Sequence, residues 1–370
     1  MYANKNNDMA VSPIVATLVL IVVAVIGAVA VGTIMGTFST DVSKQASSNG
    51  AATASATEIL IAGSTTLMPA EMNLQGDYQR ANPGIHVNVQ GGGSSQGPQA
   101  VAMGIADIGA VSSGSSITTA QTANPNDPIY QNLYFTQIGG RGVVFIQNKD
   151  GAAVPTGSTI AADVKAAYED VGANGKTNAV HGTIASGTLM EQREAGSGTM
   201  STAFGFAGMN SSEKSNGVIN APINNGNAQE LASVQSGTQS FGFVDSGYAI
   251  TGGVTSTTVA ANIALVNVTV GATTYSPTHT AIKNALHDWY LGNAQDTTGG
   301  AAANYPQNLV GGLYWLTKGN SPSAFTGNRV TTAGVSAAGT DVVGLINFAK
   351  TPAEAAAFNN VGMYSMYDFS

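Results

Sequence analysis

Three short segments of the chain place glycine beside hydroxyl side chains where an extended run gives way to a helical one. They are GSTT from Gly63 to Thr66, GGGSSQG from Gly91 to Gly97 and GSGT from Gly196 to Thr199. The first turn of a helix presents backbone N–H groups that have no intrahelical partner, together with a partial positive charge. Glycine lets a ligand approach that backbone, and Ser or Thr adds O–H donors, so each segment is half of an anion site. Taken singly, each also fits an ordinary N-cap followed by a glycine turn. Three in one chain, with Arg193 three residues ahead of the last, point to one converging oxyanion pocket.

Other chemistries are harder to build from this sequence. Gly93-Ser94-Ser95-Gln96-Gly97 spells GxSxG between a β-like run and a helical one, the setting of a serine nucleophile at Ser95. A triad then needs an acid and a histidine downstream, and His181, His279 and His287 stand in no recognisable setting. With His86 they make four scattered histidines, without HExxH or paired ligand spacing, so neither a catalytic metal nor another cofactor is expected. The absence of cysteine removes thiol catalysis, disulfides and thiolate metal sites. Thirteen basic against 21 acidic residues give a formal charge of −8, without the clustered Lys and Arg that a nucleic-acid backbone requires. That balance leaves room for a small anion, because oriented amides and one buried arginine can hold it inside a negative protein.

The elements that must position these residues follow from hydrophobic pattern. EILIA, a helix near Pro69 to Ala81, IHVNVQ, a helix near Gln96 to Met103 and ADIGAV alternate in the manner of an α/β protein with a largely parallel sheet. Ahead of them, an uncharged apolar stretch bounded by Ile14 and Met35 would span about 33 Å as a helix, enough to cross a bilayer. It is too long for a cleaved secretory signal and is preceded by a single Lys5. Gly32 and Gly36 form a GxxxG pair suited to close helix approach, against the plainer reading of a membrane anchor with incidental glycines. Residues 39–57 lack apolar periodicity and read as a flexible Ser/Ala/Thr linker. Asn210 and Asn267 each begin an N-x-S/T sequon, which fits a surface outside the cytoplasm.

The opening NDMAVSPIVATLVLIVVAVIGAVAVGTIMGTF resembles the amino-terminal segment of archaeal type IV pilin-like proteins. That resemblance implies a peptidase cut near Met9 and Ala10 that leaves the apolar helix on the mature protein, with self-assembly through it as a further expectation. AGSTTLMPA, GGGSSQGPQAVAMGIADIGAVSS and REAGSGTMSTAF resemble the three ligand loops of the phosphate-binding proteins of phosphate-specific ABC transporters. GNAQELASVQSGTQSFGFVDSGYA, YPQNLVGGLYWLTKG and LINFAKTPAEAAAFNNVGMY continue the likeness, which runs from Glu58 to Tyr364.

This second resemblance implies an α/β, two-lobed periplasmic-binding-protein fold whose lobes close over the ligand by a hinge. Its boundaries would be an anchor at 1–38, a linker at 39–57, one lobe from 58–138 with 251–370, and the other from 139–250. It implies a non-enzymatic, extracytoplasmic protein of the cell surface that captures phosphate or a similar tetrahedral oxyanion and hands it to ABC-transporter membrane subunits. A filament subunit with a binding-protein-like head is the rival with the same anchor and fold.

Position by position, the resemblance implies that Thr65 and Thr66 act in the first loop and Ser94 in the second. Arg193 pairs with the ligand's charge, and Ser197, Gly198 and Thr199 supply the helix-start donors of the third. Two positions depart. Ser112 stands where some relatives carry an aspartate that accepts the proton of bound phosphate, and Ala195 replaces an acid that often braces the arginine. Glu71 or Asp107 would have to reach the site to restore the acceptor, and Asp107, at the start of an apolar strand, reads as structural.

Overall fold

The computed structural model describes residues 57–151, 153–209, 219–296, 303–331 and 334–370. The apolar stretch 14–35, the linker up to residue 56 and the sequon at Asn210 lie outside the described residues. Among the described residues no helix is long and apolar enough to cross a membrane.

The first 55 of the described residues fold as the apolar pattern dictates. Strand β1 (Thr57–Gly63) buries Ile59 and Ile61 on alternate positions, and helix α1 (Met68–Ala81) buries Ala70, Leu74 and Tyr78 at spacings of four. These side chains share one cluster with Trp315, Leu345 and Phe358, where each large apolar residue contributes about 1.5–3 kcal/mol by leaving water. Pro69 sits in the first turn of α1, where its missing N–H costs nothing. Strand β2 (Ile85–Gly91) runs parallel to β1 with Ile85 opposite Thr57, and β3 (Ile108–Val111) runs parallel on the other side with Ile108 opposite Ile61. Helices α2 (Gln96–Ala102) and α3 (Gly114–Ala123) follow β2 and β3. Three loops therefore leave the carboxyl ends of three parallel strands on one edge, the usual place for a ligand in such a sheet.

Strand β4 (Tyr134–Asn148) is 15 residues long, and all but its first residue are buried. At about 3.4 Å per residue it spans roughly 50 Å. Its partners change along its length. Residues 134–142 pair antiparallel with β9 (Val310–Thr317), which also pairs with β3, so this half is continuous with the sheet just described. Residues 143–147 pair with β7 (Ser240–Asp245), and residues 145–148 pair with β8 (Ile263–Val270). β10 (Tyr364–Ser365) joins β4 at Gly139 and Gly140, beside the switch of partners. The short strands β5 (Gln192–Arg193) and β6 (Ile223–Asn224) pair in parallel next to this second half. Helix α4 (Gly198–Phe206) packs Phe204 edge-on against Phe243 of β7 at 5.5 Å between ring centres, and α5 (Asn227–Ser236) packs its Val234 into the same core.

The α/β class matches the sequence reading, with one difference. The sheet is mixed, because β9 runs antiparallel between β3 and β4, and β7 and β8 pair antiparallel with the second half of β4. The parallel alternation of β1 to β3 stops at Val111, and the later elements carry no such regular pattern.

Candidate functional site

The first and third of the loops singled out above contain glycines that leave no room for a Cβ. Gly63 ends β1 at φ +140°, and a Cβ there would strike Ala110 O of the neighbouring strand. Gly198, the first residue of α4, would place a Cβ 2.5 Å from Ser112 Oγ and 2.9 Å from Ser94 Oγ. The start of α4 is thus pressed directly against the second loop and the end of β3. Ser197 caps α4 by accepting from Met200 N at 3.2 Å, which leaves the first N–H groups of the helix, at Gly198 and Thr199, without intrahelical partners.

The expected residues come together in one hydrogen-bonded network. Ser94 Oγ lies 3.0 Å from Ser112 Oγ and accepts from Ser112 N at 3.0 Å. Thr66 Oγ1 lies 3.2 Å from Thr199 Oγ1, joining the first loop to the third. Arg193 Nη2 donates to Thr65 Oγ1 at 3.1 Å. Tyr248 OH donates to Thr65 O at 3.2 Å, and its phenol is pushed up to about 12, first by burial and then by the charge of Asp245. Beside Ser197, a cleft of about 310 Å³ opens between α2, α3 and α4, lined by hydroxyls that include Ser95, Ser115 and Ser201.

Four residues that hold this network together were not among those expected. Asp245, at the end of β7, accepts at Oδ2 from Thr66 Oγ1 (2.7 Å), Thr199 Oγ1 (2.6 Å) and Asn227 Nδ2 (2.9 Å). Arg141, on β4 next to its change of partners, donates to Asp245 Oδ1 at 3.0 Å and to Ser112 O at 2.7 Å. Its Nη2 donates to Gly198 O at 3.0 Å and Thr202 Oγ1 at 2.9 Å. Asn227, the first residue of α5, also donates to Thr66 Oγ1 at 3.0 Å and accepts from Arg193 Nη1 at 2.7 Å. Glu194 takes Arg193 in a two-pronged ion pair, with Nε to Oε2 at 2.8 Å and Nη2 to Oε1 at 2.9 Å.

Glu194 corrects one expectation. The acid missing at position 195 is supplied by the adjacent residue, so Arg193 is braced after all. A guanidinium has five N–H donors, and Arg193 commits four of them, to Glu194 twice, Asn227 and Thr65. One Nη1 proton remains for a ligand in this arrangement, rather than a two-pronged fork. The two arginines are buried and each faces an acid, so the site's own charges balance before any ligand enters.

The other candidate acids lie apart from this network. Glu71 is buried and accepts from Trp315 Nε1 at 2.7 Å, and burial raises its carboxyl to about 8. Asp107 Oδ2 accepts from Leu60 N at 2.9 Å and ties the start of β3 to β1, a structural task. Among the described residues no triad assembles at Ser95. His181 is held by Asp170 at 2.8 Å, His279 by Tyr364 at 2.7 Å and His287 by the carbonyl of Phe369 at 2.9 Å.

A second buried group stands behind Arg193. Asn224, paired with Arg193 between β6 and β5, donates from Nδ2 to Glu191 Oε2 at 2.9 Å and to Glu230 Oε2 at 3.0 Å. Burial raises the Glu230 carboxyl to about 8, despite the opposing charge of Arg193, and also raises Glu191.

Comparison with known proteins agrees with this architecture. Residues 47–314 match the sequence profile of the PBP superfamily domain. No curated protein sequence is significantly similar to the chain. A phosphate ABC transporter substrate-binding protein from Clostridium perfringens, solved with bound phosphate, superposes with a TM-score of 0.56 at 17% identity, covering 84% of this chain and 99% of its own. An ABC-type phosphate transport receptor from Vibrio cholerae gives 0.52 at 18% identity, covering 83% and 99%. A high-affinity periplasmic phosphate-binding protein, also solved with phosphate, gives 0.54 at 13% identity, covering 83% and 90%. At these identities the likeness is one of fold. The profile match covers most of the chain, and with the loops and shared strand described above it establishes that this protein belongs to the PBP superfamily.

Proposed function

We propose that the chain is an extracytoplasmic solute-binding protein that captures a tetrahedral oxyanion, phosphate first, and delivers it to an ABC transporter. The observation that carries this reading is the meeting of the glycine-hydroxyl loops at one point. Loops from the carboxyl ends of β1 and β2, the end of β3 and the start of α4 join through Thr66, Ser94, Ser112, Gly198 and Thr199. The unpaired first-turn N–H groups of α4, the last Nη1 proton of Arg193 and the surrounding hydroxyls suit an anion of tetrahedral shape. Thr65 and Ser197 serve at one remove, the former by steadying Arg193 and the latter by capping α4.

On this reading the molecule has two lobes with β4 passing between them. In this reading the crossing falls where β4 changes partners, between Gly142 and Val143, and β8, which pairs with the second half of β4, belongs with the second lobe. The phosphate-transport relatives of the same fold support the role, and the apolar stretch 14–35 supplies the membrane tether in the reading. Calorimetric titration with phosphate, sulfate, molybdate and tungstate tests it. Saturable binding of at least one of them, with phosphate tightest, is expected; heat of dilution alone for all four would refute oxyanion capture.

A further inference from the structure

We infer that Asp245 makes this site read the ligand's proton, by turning the hydroxyls of Thr66 and Thr199 into acceptors. The inference rests on the oxyanion reading above and concerns which oxyanions the site accepts.

A threonine hydroxyl has one proton and two lone pairs. At 2.7 and 2.6 Å from Asp245 Oδ2, the Thr66 and Thr199 hydroxyls both commit their single proton to that carboxylate. Their own contact, 3.2 Å, is longer than either, as expected when neither has a proton left to give the other. Asn227 Nδ2 donates into one lone pair of Thr66, and Arg141 holds the opposite carboxylate oxygen, so the orientation of Asp245 is fixed from four directions. What these two hydroxyls can still offer a ligand is lone pairs.

A ligand oxygen that carries a proton can donate into those lone pairs. A bare oxygen meets them head on, and a buried mismatch of this kind leaves both groups unsatisfied. Near neutral pH phosphate carries at least one P–OH group, whereas sulfate carries none. Ser112 does not perform this selection unaided, because its hydroxyl lies against Ser94 and can turn to donate as readily as accept. The discrimination expected of a carboxylate at position 112 is thus supplied from β7, through the two threonine hydroxyls that Asp245 holds. Bare oxygens of the same ligand would be met by the N–H groups of α4 and by Arg193.

The test is competitive calorimetry of inorganic phosphate and sulfate on the full chain at fixed pH and ionic strength, with Asp245→Asn and Thr199→Val beside the wild type. In Asp245→Asn the amide nitrogen donates to one threonine and releases that hydroxyl's proton toward the ligand. The phosphate-to-sulfate affinity ratio should fall by roughly tenfold or more, chiefly through tighter sulfate. Thr199→Val leaves the Arg141 pair intact, and should lose roughly tenfold in phosphate affinity with sulfate unchanged; it decides the matter if Asp245→Asn fails to fold. Phosphate binding with both ratios unaltered overturns the inference and leaves oxyanion capture standing. Wild type that binds sulfate as tightly as phosphate does the same. Failure of the wild type to bind either anion overturns the inference, and oxyanion capture falls with it only if molybdate and tungstate also fail to bind.

Discussion

Arg141 and Arg193 are equally buried and each faces a carboxylate, yet they are held in opposite ways. Arg193 leans on its own neighbour in the chain, Glu194, and reaches outward to Thr65 and Asn227. Arg141 has no local partner. It binds Ser112, Gly198, Thr202 and Asp245, groups between 29 and 104 residues away that come from both sides of the change of partners on β4. The first is a charge presented to a site by a local brace, and the second is a charge that ties the site's walls together. The same residue type therefore performs two tasks, distinguished by where its partners sit in the chain.

The sharpest way to break this comparison is Arg141→Ala. Removing one member of a buried ion pair strands the other, and should cost about 3–5 kcal/mol of stability. Urea unfolding monitored by tryptophan fluorescence should show a midpoint far below that of the wild type. A midpoint within error of wild type would mean that Asp245 finds water or another donor, and the tie would then be unnecessary.

Arg193→Ala should instead act on binding. Loss of a charged donor should cost about 2–5 kcal/mol of oxyanion affinity, with a smaller loss of stability because Glu194 keeps some exposure to solvent. Arg193→Lys should recover only part, since an ammonium cannot span both Glu194 oxygens and still reach Asn227. Undiminished affinity in Arg193→Ala would remove it from the ligand's surroundings and collapse the distinction between the two arginines.

The smallest effect expected is one of pH, and it separates the walls behind the two arginines. Glu230, raised to about 8, holds a proton in the folded protein that it releases near 4.5 when unfolded. The folded state therefore binds more protons between those values, and this contribution to stability is present below about 4.5 and is lost as pH rises through about 8. Glu71 acts in the same direction. Thermal melting should fall by a few degrees between pH 6 and pH 8.5, on a scale of about 2–4 °C per kcal/mol, and Glu230→Gln should flatten the slope. A flat wild-type profile would show that both carboxyls ionise freely despite burial.

How much of this was legible in the sequence depends on the range of the interactions. β1, α1, β2, α2 and β3 follow from local periodicity and turn residues, and each lies within a few residues of where the pattern places it. The hydroxyl loops and Arg193 were legible for a similar reason, since a helix start and its capping residues are neighbours in the chain. Glu194 was legible only as an acid beside Arg193, because which of two adjacent side chains reaches the guanidinium depends on the turn of the backbone after β5. Arg141 gave one signal, a charge inside the apolar run IGGRGVVFI, which must be paired if buried. Its partner could not be named, because nothing local links residue 141 to Asp245 at the end of another strand. Asp245 itself looks like the N-cap of the short helix that follows it.

Strand β4 has a consequence beyond placing Arg141. Because its first nine residues complete one set of strand pairings and the remainder complete another, neither half can lose its central strand without withdrawing support from the other. A periplasmic-type protein whose halves were joined only by flexible crossings could melt in two steps, each half keeping its own protected amides. The backbone amides from Tyr134 to Asn148 are therefore expected to exchange with solvent as one cooperative unit, and the two sets of pairings to melt in a single step.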